Sequence, residues 1–214
     1  MKKFISACLL LCVSAAAFSQ NKEVLALPEA TAHFFKDVPA DKLAGILRTE
    51  LTAYFSEVEL NDKMKEQWGV RSKEELQSLT FPVIIPVLGY YSKDGGAVMG
   101  NADQYYIPLL LGSEVKIIAS ISRMPDGYHV TNIGWPLMAK QLNPSMPVFS
   151  LSSNLAYVEI PEMGVGVLVV CSSQEFDQAK LNVIQAVYPG KEVAETKTQP
   201  TSFNDFLKLA SLQK

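Results

Sequence analysis

The chain has 214 residues, 48% of them apolar, and 19 Lys and Arg stand against 22 Asp and Glu. This mildly acidic balance, with its basic residues scattered, excludes the clustered positive surface that a nucleic-acid backbone requires. Length and apolar content suffice for a self-supporting core.

Lys2 and Lys3 precede an apolar run from Phe4 to Val13, then the small residues Ser14, Ala15, Ala16 and Ala17, and then polar Gln20, Asn21 and Lys22. This is the pattern of a secretory signal peptide over residues 1–19, cut near Ser19. A membrane span needs about 20 apolar residues, and Ser6, Ser14 and Ser19 interrupt this run, so no transmembrane span is expected in the mature chain. Ile5-Ser6-Ala7-Cys8 matches a lipoprotein box only superficially, because the apolar run before Cys8 is too short. Cleavage removes Lys2, Lys3, Cys8 and Cys12, which leaves 17 basic residues against 22 acidic ones and a single cysteine, Cys171. No disulfide can form within the mature chain, and its expected location is extracytoplasmic, periplasmic or secreted.

From residue 20 the chain reads as one α+β domain. Asp41 starts an amphipathic helix with Leu43, Ile46, Leu47, Leu51, Tyr54, Phe55 and Val58 at intervals of three and four. Asn61 caps a second helix ending at Trp68 before Gly69, and Ser72 with Glu75 makes a capping box for a third. The helical part covers 41–78 and the sheet part 81–171.

Pro82 to Leu88 reads as an edge strand, since its prolines cannot donate ladder hydrogen bonds. Tyr105–Leu111, Val115–Arg123 and Tyr128–Gly134, separated by Gly112-Ser113 and Pro125-Asp126-Gly127, form an antiparallel meander. A short helix over Pro136–Leu142 precedes a second hairpin, Leu155–Ile160 with Val165–Cys171. The latter strand is apolar on both faces and therefore central. Ser172 and Glu175 then start a helix through Phe176, Ala179, Val183, Ile184, Val187 and Tyr188. A polar linker from Lys191 to Pro200 leads to a last helix after Ser202, so 173–212 is read as helical. The expected fold is α+β, an antiparallel sheet of about five or six strands with helices on either side of it in sequence.

Chemistry is sparsely signalled. Cys171, at a strand end before a capped helix, is the candidate nucleophile of a hydrolase or transferase, with His129 as its base; the valines before it equally describe core. His33 and His129 share no ligand spacing, so neither a metal nor a cofactor is expected. Ser92–Asp103 lacks both the phosphate-loop ending and calcium-loop spacing and reads as a hairpin connection. Glu159 and Glu162 flank a turn as a candidate carboxylate pair, and Glu57, Glu59 and Asp62 make a solvated acidic patch. No G-x-S-x-G occurs. Tyr90, Tyr91, Tyr105, Tyr106, Tyr128 and Trp135 cluster in the strand region as candidate binding residues, and Pro86 and Pro108 mark strand edges open to a partner strand. Tyr106 to Gly112, Val115 to Ile121 and Asp126-Gly127 resemble secreted propeptide-like and inhibitor-like modules without a specific motif. The function expected is a non-catalytic binding or inhibitory domain for a protein, peptide or cell-envelope component.

Overall fold

The computed structural model describes residues 40–91, 97–99, 103–145, 155–171, 177–190 and 201–211. The expected export signal, His33, the expected Ser172–Glu175 capping box and the linker 191–200 lie outside them. Helix α1 (Ala40–Glu57) buries Leu43, Leu47, Leu51 and Phe55, one residue per turn along a single stripe. Tyr54, at the stripe's margin, is 38% exposed and leans edge-on against Phe55. In α2 (Asp62–Trp68) the Asn61 side chain accepts the Met64 N–H, and Gly69 ends the helix at φ 62°. In α3 (Lys73–Gln77) Ser72 accepts the Glu75 N–H. The Glu75 carboxylate accepts the Arg71 N–H at 2.7 Å, one residue earlier than in the usual reciprocal box.

Nine strands follow: β1 (Ile85–Tyr91), β2 (Ala97–Met99), β3 (Gln104–Leu111), β4 (Glu114–Met124), β5 (Gly127–Gly134), β6 (Leu155–Ile160), β7 (Val165–Cys171), β8 (Leu181–Val187) and β9 (Thr201–Ser202). Two more α-helices, α4 (Pro136–Leu142) and α5 (Phe203–Ser211), and three single-turn 3-10 helices are also described. The sheet order is β5-β4-β3-β1-β6-β7-β8-β9, with β2 paired to the end of β1. The meander β3-β4-β5 and the hairpin β6-β7 form as the turn chemistry predicts, and β7 is internal, between β6 and β8.

Three expectations are corrected. The sheet is larger and mixed, because β1 runs parallel to β6, with Val87 opposite Tyr157. β1 and β3 are internal strands, and Pro86 and Pro108 are buried, so neither proline marks an open edge. The sheet accommodates Pro108 by breaking the β1-β3 ladder, whereas Pro86 lies within that ladder, opposite Tyr105. Thr80 bridges Leu110 and Ile85 pairs with Tyr106, while Pro82 and Pro108 fall in the unpaired interval between, where no N–H is needed. Finally, Leu181–Val187 is a strand, paired with β7 and β9. Leu181 and Val183 turn to one core and, past a register shift, Ala186 turns to the same core and Val187 to the other, although Val183, Ile184 and Val187 also fit a helical spacing. Pairing with an apolar internal strand selects the extended form.

Both faces of the sheet are covered. On one, α1, Trp68, Leu76 and Phe203 meet Ile107, Ile117, Val158, Val167 and Val183. On the other, Met138, Ala139 and Leu142 of α4 meet Ile85, Ile118, Tyr157 and Leu168. Helix α4 packs against both β4 and β8, which four strands separate. A flat sheet would hold those strands about 24 Å apart, whereas seven helical residues span about 10 Å. The sheet therefore curls around α4. Two amide side chains fix the helix in this trough: Asn143 accepts the Val115 N–H at 2.7 Å and donates to its carbonyl, and Gln141 accepts the Tyr188 N–H at 2.8 Å and donates to its carbonyl. Each replaces a missing strand partner. Among the described residues no helix is long and apolar enough to cross a membrane.

Candidate functional site

The curl leaves a cavity of about 770 Å³ beside the N-terminal end of α4. Its floor is Tyr106 from β3 with Tyr157 and Glu159 from β6, and its walls include Trp135 and Leu137. Lys63, Glu66 and Gln67 form one rim. Their spacing along α2 puts them on one face, while Trp68 turns into the core.

Local sequence explains the floor. Glu159 pairs in register with Gly89 on one side and Gly166 on the other, so the half-buried carboxylate stands in a row emptied of neighbouring side chains. The Tyr157 ring fills the space over Gly166, and the Tyr91 ring folds back over Gly89. A Cβ at either glycine would collide with those rings. The Tyr106 hydroxyl donates to Glu159 Oε1 at 2.8 Å. Tyr106 meets Trp135 edge to face at 5.0 Å and Tyr157 at 5.1 Å, so the three rings stand at steep angles to one another. Burial, reinforced by the Glu159 hydrogen bond, pushes the Tyr106 phenol well above its ordinary range, and burial followed by the Glu159 charge does the same to Tyr157. Both phenols stay protonated donors.

Trp135 is held in an unusual backbone. It has φ 51° and ψ 56°, the only non-glycine residue with positive φ among those described, and it follows Gly134 at φ 154°. The left-handed conformation costs a bulky residue about 1–2 kcal/mol. Pro136 fits the first helical position, and the Trp135 carbonyl accepts the Ala139 N–H at 3.0 Å. The tight turn from β5 into α4 thus sets the indole against Tyr106.

The six aromatic residues singled out in sequence do not form one cluster. Tyr106 and Trp135 line the cavity. Tyr91, 43% exposed, lies over Gly89 beside the Glu159 row. Tyr90 packs on Phe203 at 5.5 Å and Tyr105 on Tyr128 at 5.9 Å, both against the opposite core. Tyr157 and Glu159 complete the site: Tyr157 carries no sequence signal of its own, and Glu159, a candidate in sequence only as the partner of Glu162, stands instead opposite Gly89 and Gly166. Glu162 is exposed on the turn and does not line the cavity.

Cys171 is 3% exposed, in the core beneath α1 and α5. His129 lies on β5, with four strands between it and β7. Its Nδ1 is 3.1 Å from Glu50 and its Nε2 is 3.3 Å from Asp126. Glu50 also accepts the Val130 N–H at 2.7 Å, so this group ties α1 to the outer strand rather than to the thiol. Of the Ser92–Asp103 loop, β2 and Asp103 are described, and β2 returns antiparallel to β1 as a hairpin does. No group of three or more His, Cys, Asp or Glu is placed to hold a metal among the described residues. Comparison with family models, with curated proteins and with solved structures gives no significant match.

Proposed function

We propose that this chain is an exported, non-catalytic binding domain for a peptide, protein or cell-envelope component, and that it binds a projecting group of that partner in the cavity beside α4. The observation that carries this reading is the cavity's construction: aromatic walls, a single carboxylate on the floor and a strained tryptophan at the mouth. A volume of about 770 Å³ lies within the range of sites that enclose a small ligand or an inserted side chain, and few polar groups on aromatic walls are the usual composition of such sites. Backbone strain concentrates where a ligand is gripped. The buried, distant Cys171 offers nothing comparable to a thiol enzyme. Export rests on the Lys2 to Ser19 pattern.

Two measurements test the reading. N-terminal sequencing of material recovered outside the cytoplasm is expected to begin near Gln20. A fragment screen followed by the indole N–H resonance of Trp135 is expected to concentrate its hits in this cavity, and a cavity-filling Leu137→Trp variant should lose them. Hits scattered over the surface, or unaffected by the filled cavity, would remove the reading.

A further inference from the structure

The cavity's chemistry is selective. Glu159 sits on the floor with one oxygen held by Tyr106, and among the described residues no basic side chain pairs with it. Tyr106 and Tyr157, 6% and 2% exposed, present a small part of their rings to the floor of this space and Trp135 forms its wall, the rings meeting at interplanar angles of 77° and 61° along the series. Aromatic faces attract cations through their quadrupoles, most strongly where water is excluded, and an unpaired carboxylate adds charge of the right sign. The rim residues Lys63, Glu66 and Lys140 are all exposed, so their charges act through high-dielectric solvent, whereas the half-buried Glu159 acts through protein.

Resting on the binding function proposed above, the geometry points to an organic cation as the group this cavity takes: an alkylammonium, quaternary ammonium or guanidinium seated on Glu159, over the floor of Tyr106 and Tyr157 and against Trp135. The remainder of the ligand runs out past Lys63 and Lys140. Tyr106 acts as a positioning residue, since its hydroxyl fixes the carboxylate.

The probe pair is choline and its neutral isostere 3,3-dimethylbutan-1-ol, with 3,3-dimethylbutyrate as the anionic control, each titrated against the Trp135 indole resonance of the mature chain. Choline is expected to bind about tenfold or more tightly than either control. Glu159→Gln, which keeps an acceptor for Tyr106, should bring choline affinity down to that of the neutral isostere. If the isostere or the butyrate binds as well as choline, the cation assignment is overturned and the cavity stands as a binding site. If none of the three moves the indole resonance and the fragment screen also finds nothing there, both readings fall. Because the choline comparison is made on the unmodified protein, a folding defect in the variant does not decide the result.

Discussion

The ring of Tyr157 occupies the space that a side chain on Gly166 would fill, on the neighbouring strand. Gly166 is thus a packing partner by absence. Gly166→Ala should drive its methyl into a buried ring and cost about 1–3 kcal/mol, read as a lower urea midpoint. Tyr157→Val is expected to relieve the overlap, so the double variant loses less than the sum of the two single losses. Additive losses would mean that Gly166 is required for another reason.

The trough depends on the two amides that hold α4. Replacing Asn143 by Ala strands the Val115 N–H and carbonyl, and replacing Gln141 by Ala does the same at Tyr188. Each is expected to cost about 1–3 kcal/mol, the penalty for orphaned backbone groups. Equilibrium denaturation checks this, and the Trp135 resonance should shift in both variants because the turn before α4 loses its anchor.

Cys171 should resist alkylation in the folded chain and react on unfolding, since it is 3% exposed. His129→Ala should leave the rate unchanged. Rapid labelling that slows in the His129 variant would restore the thiol-enzyme alternative.

Tyr105, Tyr106 and Tyr157 each have their phenol raised above the ordinary value of 10.0, with burial the first cause in every case. A group whose folded value is raised stabilises the fold below its unfolded value and ceases to as pH climbs past it, because the unfolded chain releases the proton first. Stability should therefore fall steeply above about pH 10. Absorbance at 295 nm is expected to show these three tyrosines ionising together with unfolding; their ionisation while near-UV dichroism is still native would contradict the packing described.

The local elements were legible because their signals are local. Asn61, Gly69 and Ser72 cap within a few residues, and Gly112-Ser113 and Pro161–Gly164 close hairpins whose partners are adjacent in sequence. What escaped was set by distant pairing. Pro86 and Pro108 read as edge signals, yet both sit inside the sheet, Pro86 opposite Tyr105 and Pro108 where the β1-β3 ladder is interrupted. The apolar residues of Leu181–Val187 also fit a helical spacing, and pairing with β7 decides for the strand. The site shared that fate: Tyr106 and Trp135 were visible as aromatic residues, but nothing local joined them to Glu159, 53 residues away from Tyr106.

The one parallel pairing among the described residues, β1 with β6, joins two halves that are otherwise antiparallel. Its partners lie about seventy residues apart, and closing a loop of that length must precede any contact that rewards it. The meander and the β6-β7 hairpin can assemble early from neighbouring sequence, whereas the β1-β6 seam cannot. Tyr106 stands on one side of that seam and Tyr157 and Glu159 on the other. The cavity floor is therefore absent from any half-assembled chain, and its appearance marks the completion of folding.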